Sequence, residues 1–142
     1  MPIALGAAIA CPDRKVVTLQ SDGSGMYTNQ ALWTIAHENC DITIVILKND
    51  SYAVLNVELA RVRDDEPTPK MLSMLELSPP SIDWVKIAEG MGVSAVAVAT
   101  AEAFHAEFEQ AMAQPGPRLI EATMVQNLQP LVDLIQKQRQ AS

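Results

Sequence analysis

The run Ile42-Thr43-Ile44-Val45-Ile46-Leu47 is apolar or β-branched at every position. A strand with one wet face alternates apolar and polar residues; this run does not, so it predicts a strand covered on both faces, as in a parallel sheet. Parallel strands need long crossovers, and the neighbouring sequence supplies them. Residues 15–20 (Lys-Val-Val-Thr-Leu-Gln) read as a strand ending at the turn Ser21-Asp22-Gly23-Ser24. A helix is predicted over 28–38, with Ala31, Leu32, Ile35 and Ala36 on one face. Pro2 opens a short, tightly packed helix that Pro12-Asp13 ends. Downstream, helices are predicted over 52–62, 82–90 and 101–113, and strands over 93–98 and 118–123. The long helix carries Ala101, Phe104, Phe108, Ala111 and Met112 as one stripe. Leu128, Leu131, Val132 and Ile135 predict a docked C-terminal helix. Between Arg63 and Pro80, four prolines and Asp64-Asp65-Glu66 indicate a long, mobile, solvated excursion. This order specifies an α/β fold, a doubly wound parallel sheet with helices on both faces.

With 142 residues, 49% of them apolar, the chain fits one domain with a packed core. Its net charge of −7 and ten scattered Lys and Arg offer no basic stripe for nucleic acid or an anionic membrane. A phosphate ligand would need a metal or backbone N–H groups. Cys11 and Cys40 lie outside any CxxC pair and read as reduced core thiols of a cytoplasmic protein. The apolar start has no basic region before it and meets a turn rather than a cleavage site.

On such sheets ligands sit beyond the carboxyl ends of strands. Two predicted strand ends carry polar turns there, Asp22-Gly23-Ser24 and Asn49-Asp50-Ser51. Asp22 is expected at the sheet edge as an exposed carboxylate, beside free N–H groups of Gly23 and Ser24. If the strands are neighbours, the Asn49 amide oxygen reaches the same point. One carboxylate, one amide oxygen and a carbonyl suit Mg²⁺, which takes hard oxygens. Each turn alone is also an ordinary β-turn or helix N-cap. His37 (surface or interface) and His105 (solvated) stand apart, so no zinc cluster is expected. Gly23-Ser24-Gly25 lacks the third glycine of a dinucleotide fingerprint.

Taken together, Ser21-Asp22-Gly23-Ser24 and Lys48-Asn49-Asp50-Ser51-Tyr52 resemble the cofactor motif of thiamine-diphosphate-dependent enzymes. Their motif is a Gly-Asp-Gly(-Ser) followed at this distance by an Asn-Asn pair. Ala31-Leu32-Trp33-Thr34 is similar to the benzoylformate decarboxylase branch, and Ser51-Tyr52-Ala53-Val54-Leu55-Asn56 to acetolactate-synthase-like members. The resemblance implies Mg²⁺ ligands at Asp22, Asn49 and the Ser51 carbonyl, with the Ser51 side chain free to vary. It implies diphosphate contacts from Gly23, Ser24 and the backbone of Tyr52 and Ala53. Val54 and Leu55 would form an apolar wall by the thiazolium ring, or else be ordinary helix core. Ser21 and Lys48 depart from the motif. Lys48 either approaches the diphosphate or is solvated, the latter being preferred.

The resemblance also implies a fold whose first strand and cofactor-bending residue lie upstream, and a pyrimidine-binding domain carrying the activating glutamate. No catalytic residue is therefore expected in this chain. Residues 1–125 would be a partial thiamine-diphosphate/Mg²⁺-binding domain and 126–142 a helical extension, in a fragment, split-gene subunit or truncated reading frame. The implied whole is a cytoplasmic, homo-oligomeric 2-oxo acid decarboxylase or carboligase, a lyase or transferase. The alternative is a non-catalytic Mg²⁺/diphosphate-binding or oligomerisation module of the same descent. A weaker one is an unrelated doubly wound domain.

Overall fold

The computed structural model describes residues 1–62, 65–125, 130, 131 and 134. Along the chain come α1 (Pro2–Ala10), β1 (Val16–Ser21), α2 (Asp22–Gly25), α3 (Ala31–His37), β2 (Ile42–Lys48) and α4 (Ala53–Val62). They are followed by α5 (Pro69–Ser73), α6 (Trp84–Gly90), β3 (Ser94–Val98), α7 (Ala101–Ala113) and β4 (Arg118–Thr123). Two compact units are distinguished: Met1–Lys48 with Asp83–Met124, and Asn49–Ile82 with Val125–Ser142.

The first unit holds the sheet. Its four strands are parallel in the order β1-β2-β4-β3. The β-branched run forms β2, in the interior and fully covered from Ile42 to Ile46. Register sets the faces. Val45, Ile120 and Val96 share one row, and Leu47, Ala122 and Val98 the next. These rows pack under Phe104, Phe108 and Ala111 of α7. Ile46, Glu121 and Ala97 stand on the opposite face, where α6 is tied down by Trp84 N–H donating to Glu121 Oε2 at 3.0 Å. Helices thus cover both faces, and the α/β expectation holds. At the edge, the exposed Val17 and Leu19 alternate with half-buried Val16 and Thr18.

Local chemistry explains the helix ends. Asp83 and Thr100 cap α6 and α7 by accepting from Lys86 N–H (3.0 Å) and Ala103 N–H (3.2 Å). After α3 the chain turns through Asn39 at φ 46°, a left-handed conformation that asparagine tolerates better than most residues. The helix predicted over 28–38 is shorter, since residues before Ala31 form a turn. Only Ala4 and Ala8 of α1 are buried, so it packs less tightly than expected.

In the second unit, residues 65–80 of the excursion have structure of their own. Thr68 caps α5 through Met71 N–H at 3.3 Å, and Glu76 forms an antiparallel bridge with Ser51. Asp64, placed in a solvated loop, and the C-terminal helix apart from positions 131 and 134 lie outside the described residues. Cys40 is a buried thiol as expected, but Cys11 is exposed, because it caps α1 at the surface.

Candidate functional site

Asp22 to Ser24 belong to the first unit. Asp22 follows β1 directly and begins the one-turn helix α2. Contrary to expectation its carboxylate is not exposed, with 1% of the residue accessible. Nor is the Gly23 N–H free, since it donates to Asp22 Oδ1 at 2.9 Å. The reason is that α2 begins at once, folding the carboxylate back over its own turn. Ser24 Oγ is engaged by Ser21 Oγ (2.6 Å), by Gln20 Nε2 and by the Ser21 carbonyl (3.3 Å). Gly25 leaves room for the Trp84 indole; a Cβ there would lie 2.6 Å from the ring.

The strands that end at the two motif turns are neighbours. β1 and β2 pair in parallel from Val16↔Ile42 to Ser21↔Leu47. Had they been far apart in the sheet, the expected common ligand site would have had no basis.

Lys48, expected to be solvated, is instead held 3.2 Å from Glu121 Oε1, the two side chains 14% and 9% exposed. Glu121 also accepts the Trp84 N–H, so one carboxylate joins the end of β2 to the start of α6. Sequence reasoning passed over Glu121, although an acid inside the apolar strand Leu119-Ile120-Glu121-Ala122 was the available signal.

Asn49 to Leu55 belong to the second unit. Asn49 Oδ1 accepts the Ser51 N–H at 3.1 Å, closing a tight turn through Asp50, at φ 54°. The Asp50 carboxylate accepts from Ser81 Oγ at 2.7 Å. Ser51 is buried; its hydroxyl donates to the Leu75 carbonyl (3.2 Å) and accepts from Asn56 Nδ2 (3.1 Å). Its side chain is therefore committed rather than free to vary. Tyr52 N–H donates to the Leu75 carbonyl at 2.8 Å, whereas Ala53 N–H opens α4, where backbone donors lack intrahelical acceptors. Val54 and Leu55 are 73% and 49% exposed, and α4 buries no residue, so the helix-core reading fails.

Among the described residues, other side chains offer no competing centre. His37 stacks on Trp33 with centroids 4.8 Å apart, at the surface, and His105 stands 3.4 Å from Glu109. Burial, with Glu38 nearby, pushes the Cys40 thiol up from its ordinary pKa. Among the described residues no three or more His, Cys, Asp or Glu side chains gather as a metal cluster. The residue types at the two motif turns, a carboxylate, an amide and backbone carbonyls, are hard oxygen donors of the kind Mg²⁺ takes. No helix among the described residues is long and apolar enough to cross a membrane.

Residues 1–122 match the family described as "Thiamine pyrophosphate enzyme, C-terminal TPP binding domain". A Mycobacterium tuberculosis protein named "Putative acetolactate synthase large subunit IlvX" is 50% identical over 125 residues, which is 87% of this chain and 24% of that protein. Benzoylformate decarboxylase of Pseudomonas aeruginosa is 35% identical over 92% of this chain and 23% of its own length. The structure of a thiamine diphosphate-dependent 4-hydroxybenzoylformate decarboxylase from Rhodococcus jostii RHA1 superposes with a TM-score of 0.78 at 39% identity. That alignment covers 89% of this chain and 23% of the other. The chain thus spans about a quarter of the relatives it matches.

Proposed function

The chain belongs to the C-terminal TPP-binding domain family of thiamine pyrophosphate enzymes, and from that premise we propose that it binds Mg²⁺–thiamine diphosphate as part of a 2-oxo acid decarboxylase or carboligase. The assembly is of the acetolactate synthase or benzoylformate decarboxylase kind, cytoplasmic and homo-oligomeric, with a pyrimidine-binding domain completing the site. Residues 1–125 form the cofactor-binding part and 126–142 an extension.

In this reading Asp22, Asn49 and the Ser51 carbonyl hold the metal. Gly23, Ser24 and the backbone of Tyr52 and Ala53 face the diphosphate. Tyr52 N–H stays with the Leu75 carbonyl, so the Tyr52 backbone lines the diphosphate, and Ala53 N–H, which opens α4, is the donor offered to it. Val54 and Leu55, apolar yet exposed, are suited to wall the ring against water. When bound, thiamine diphosphate supplies the electron sink that a 2-oxo acid needs to lose CO₂. The observation that carries the reading is the pairing of β1 with β2, Ser21 opposite Leu47, because each strand leads straight into one motif turn.

Isothermal titration of the purified chain with thiamine diphosphate, with and without Mg²⁺, tests it. Binding that requires Mg²⁺ and disappears in Asp22→Asn is the expected result. Metal-independent binding, or affinity unchanged by that substitution, would overturn the proposal.

A further inference from the structure

The turn that presents Ser51 is braced from one side by residues 75–77. Tyr52 N–H donates to the Leu75 carbonyl and Leu77 N–H to the Asp50 carbonyl, both at 2.8 Å. The two bonds bracket the Ser51–Glu76 bridge. In an antiparallel pair the residue between two such bonds turns its own N–H and C=O away from the partner strand. Ser51 is that residue. Its N–H is taken by Asn49 Oδ1, and among the described residues no donor reaches its carbonyl oxygen. A carbonyl left open in a residue that is itself buried is a ligand position created by backbone geometry.

That geometry depends on a side-chain relay. Asn56 Nδ2, one turn into α4, donates to Ser51 Oγ at 3.1 Å, and Ser51 Oγ donates onward to the Leu75 carbonyl at 3.2 Å. The Leu75 carbonyl thus accepts from both the Ser51 hydroxyl and the Tyr52 N–H. One residue before Ser51, Asp50 holds a left-handed φ of 54°, and Ser81 Oγ bonds its carboxylate. The local preference of Asn49 and Asp50 for such a turn is thus reinforced by its surroundings.

We propose that Ser51 and Asn56 are positioning residues for the metal: the Asn56–Ser51–Leu75 relay locks the peptide whose carbonyl is the third Mg²⁺ ligand. The inference rests on the proposed metal site and deepens it. Hydrogen-bonding partners behind a metal ligand typically govern about 10- to 100-fold of its affinity.

The test is Mn²⁺ binding to the full chain, read by electron paramagnetic resonance at a fixed concentration of thiamine diphosphate. Ser51→Ala keeps the backbone carbonyl and loses the hydroxyl, so Mn²⁺ affinity should fall by about tenfold or more. Ser51→Thr should restore it. Asn56→Ala should weaken binding similarly, and the double variant should be little worse than either single one, since both break the same relay. Urea midpoints measured alongside expose a merely structural role, which would lower the midpoint and leave Mn²⁺ affinity intact; that result overturns the inference. Asp22→Asn separates the two levels. If it abolishes Mn²⁺ binding while Ser51→Ala and Asn56→Ala bind as the parent does, the relay is refuted and the metal site stands. If Asp22→Asn changes nothing, the metal site falls and the relay with it.

Discussion

Asp22 is a buried carboxylate whose Oδ1 accepts the N–H of the next residue, and this alters what its removal does. An exposed turn carboxylate could be deleted at little cost. Here Asp22→Ala strands the Gly23 N–H in a dry position, which costs about 1–3 kcal/mol. Asp22→Asn keeps an acceptor and removes the charge, so its loss of stability should be smaller while metal binding is lost just the same. Urea unfolding paired with titration calorimetry separates the two effects; equal stability of the Ala and Asn variants would contradict the geometry. Lys48 and Glu121 form the other residue-scale unit. Lys48→Met leaves a largely buried carboxylate without its cation and should cost about 3–5 kcal/mol. Adding Glu121→Gln removes the orphaned charge and keeps an acceptor for the Trp84 N–H, so the double variant should recover much of the loss. A double variant less stable than Lys48→Met would count against a coupled pair.

The elements are set by their ends as much as by their faces. Thr100 caps α7, the helix that covers one face of the sheet, and Thr100→Ala should cost about 1 kcal/mol in chemical denaturation. Asp83 caps α6, and its carboxyl is held below the usual range by hydrogen bonds from the Lys86 side chain and backbone. The Lys86 ammonium is raised by the same contact. A depressed carboxyl pKa stabilises the fold above the unfolded value and loses that contribution as pH falls through the folded one. The gap in urea midpoint between the parent and Asp83→Asn should therefore be present at pH 7 and shrink below about pH 4, where an ordinary Asp titrates. A gap independent of pH would show that the charge is irrelevant to the cap. The 63–80 segment was the element least legible from sequence. Its prolines and acids suggest a long, mobile excursion, whereas its described residues hold α5, which Pro69 opens. The pairing of residues 75–77 with 50–52 follows no periodicity and involves backbone groups that every residue carries.

For the whole molecule, the proposed contacts serve the Mg²⁺–diphosphate end of the cofactor, and none is a group that moves a proton at its ring. General acid–base assistance is worth about 10²–10⁴-fold in rate. The purified 142-residue chain should thus bind thiamine diphosphate with Mg²⁺ and release no CO₂ from pyruvate or benzoylformate above background. A coupled CO₂ assay showing turnover would mean that an acid–base group within this chain has been overlooked. The parallel α/β fold was legible because a strand covered on both faces needs an unbroken apolar run, and 42–47 is one. The cofactor class was legible because Asp22, Gly23 and Asn49 stand at the spacing of a known motif. Burial of Asp22, the partner of Lys48 and the commitment of the Ser51 hydroxyl were not legible. The last two depend on what another segment brings to that point, Glu121 from β4 and Leu75 from beyond α5, and the first on α2 beginning at Asp22 itself. Periodicity reports which face of an element is apolar, a property of the local chain. Which polar group meets which is decided only when segments distant in sequence pack together, because a buried donor or acceptor must find its partner there.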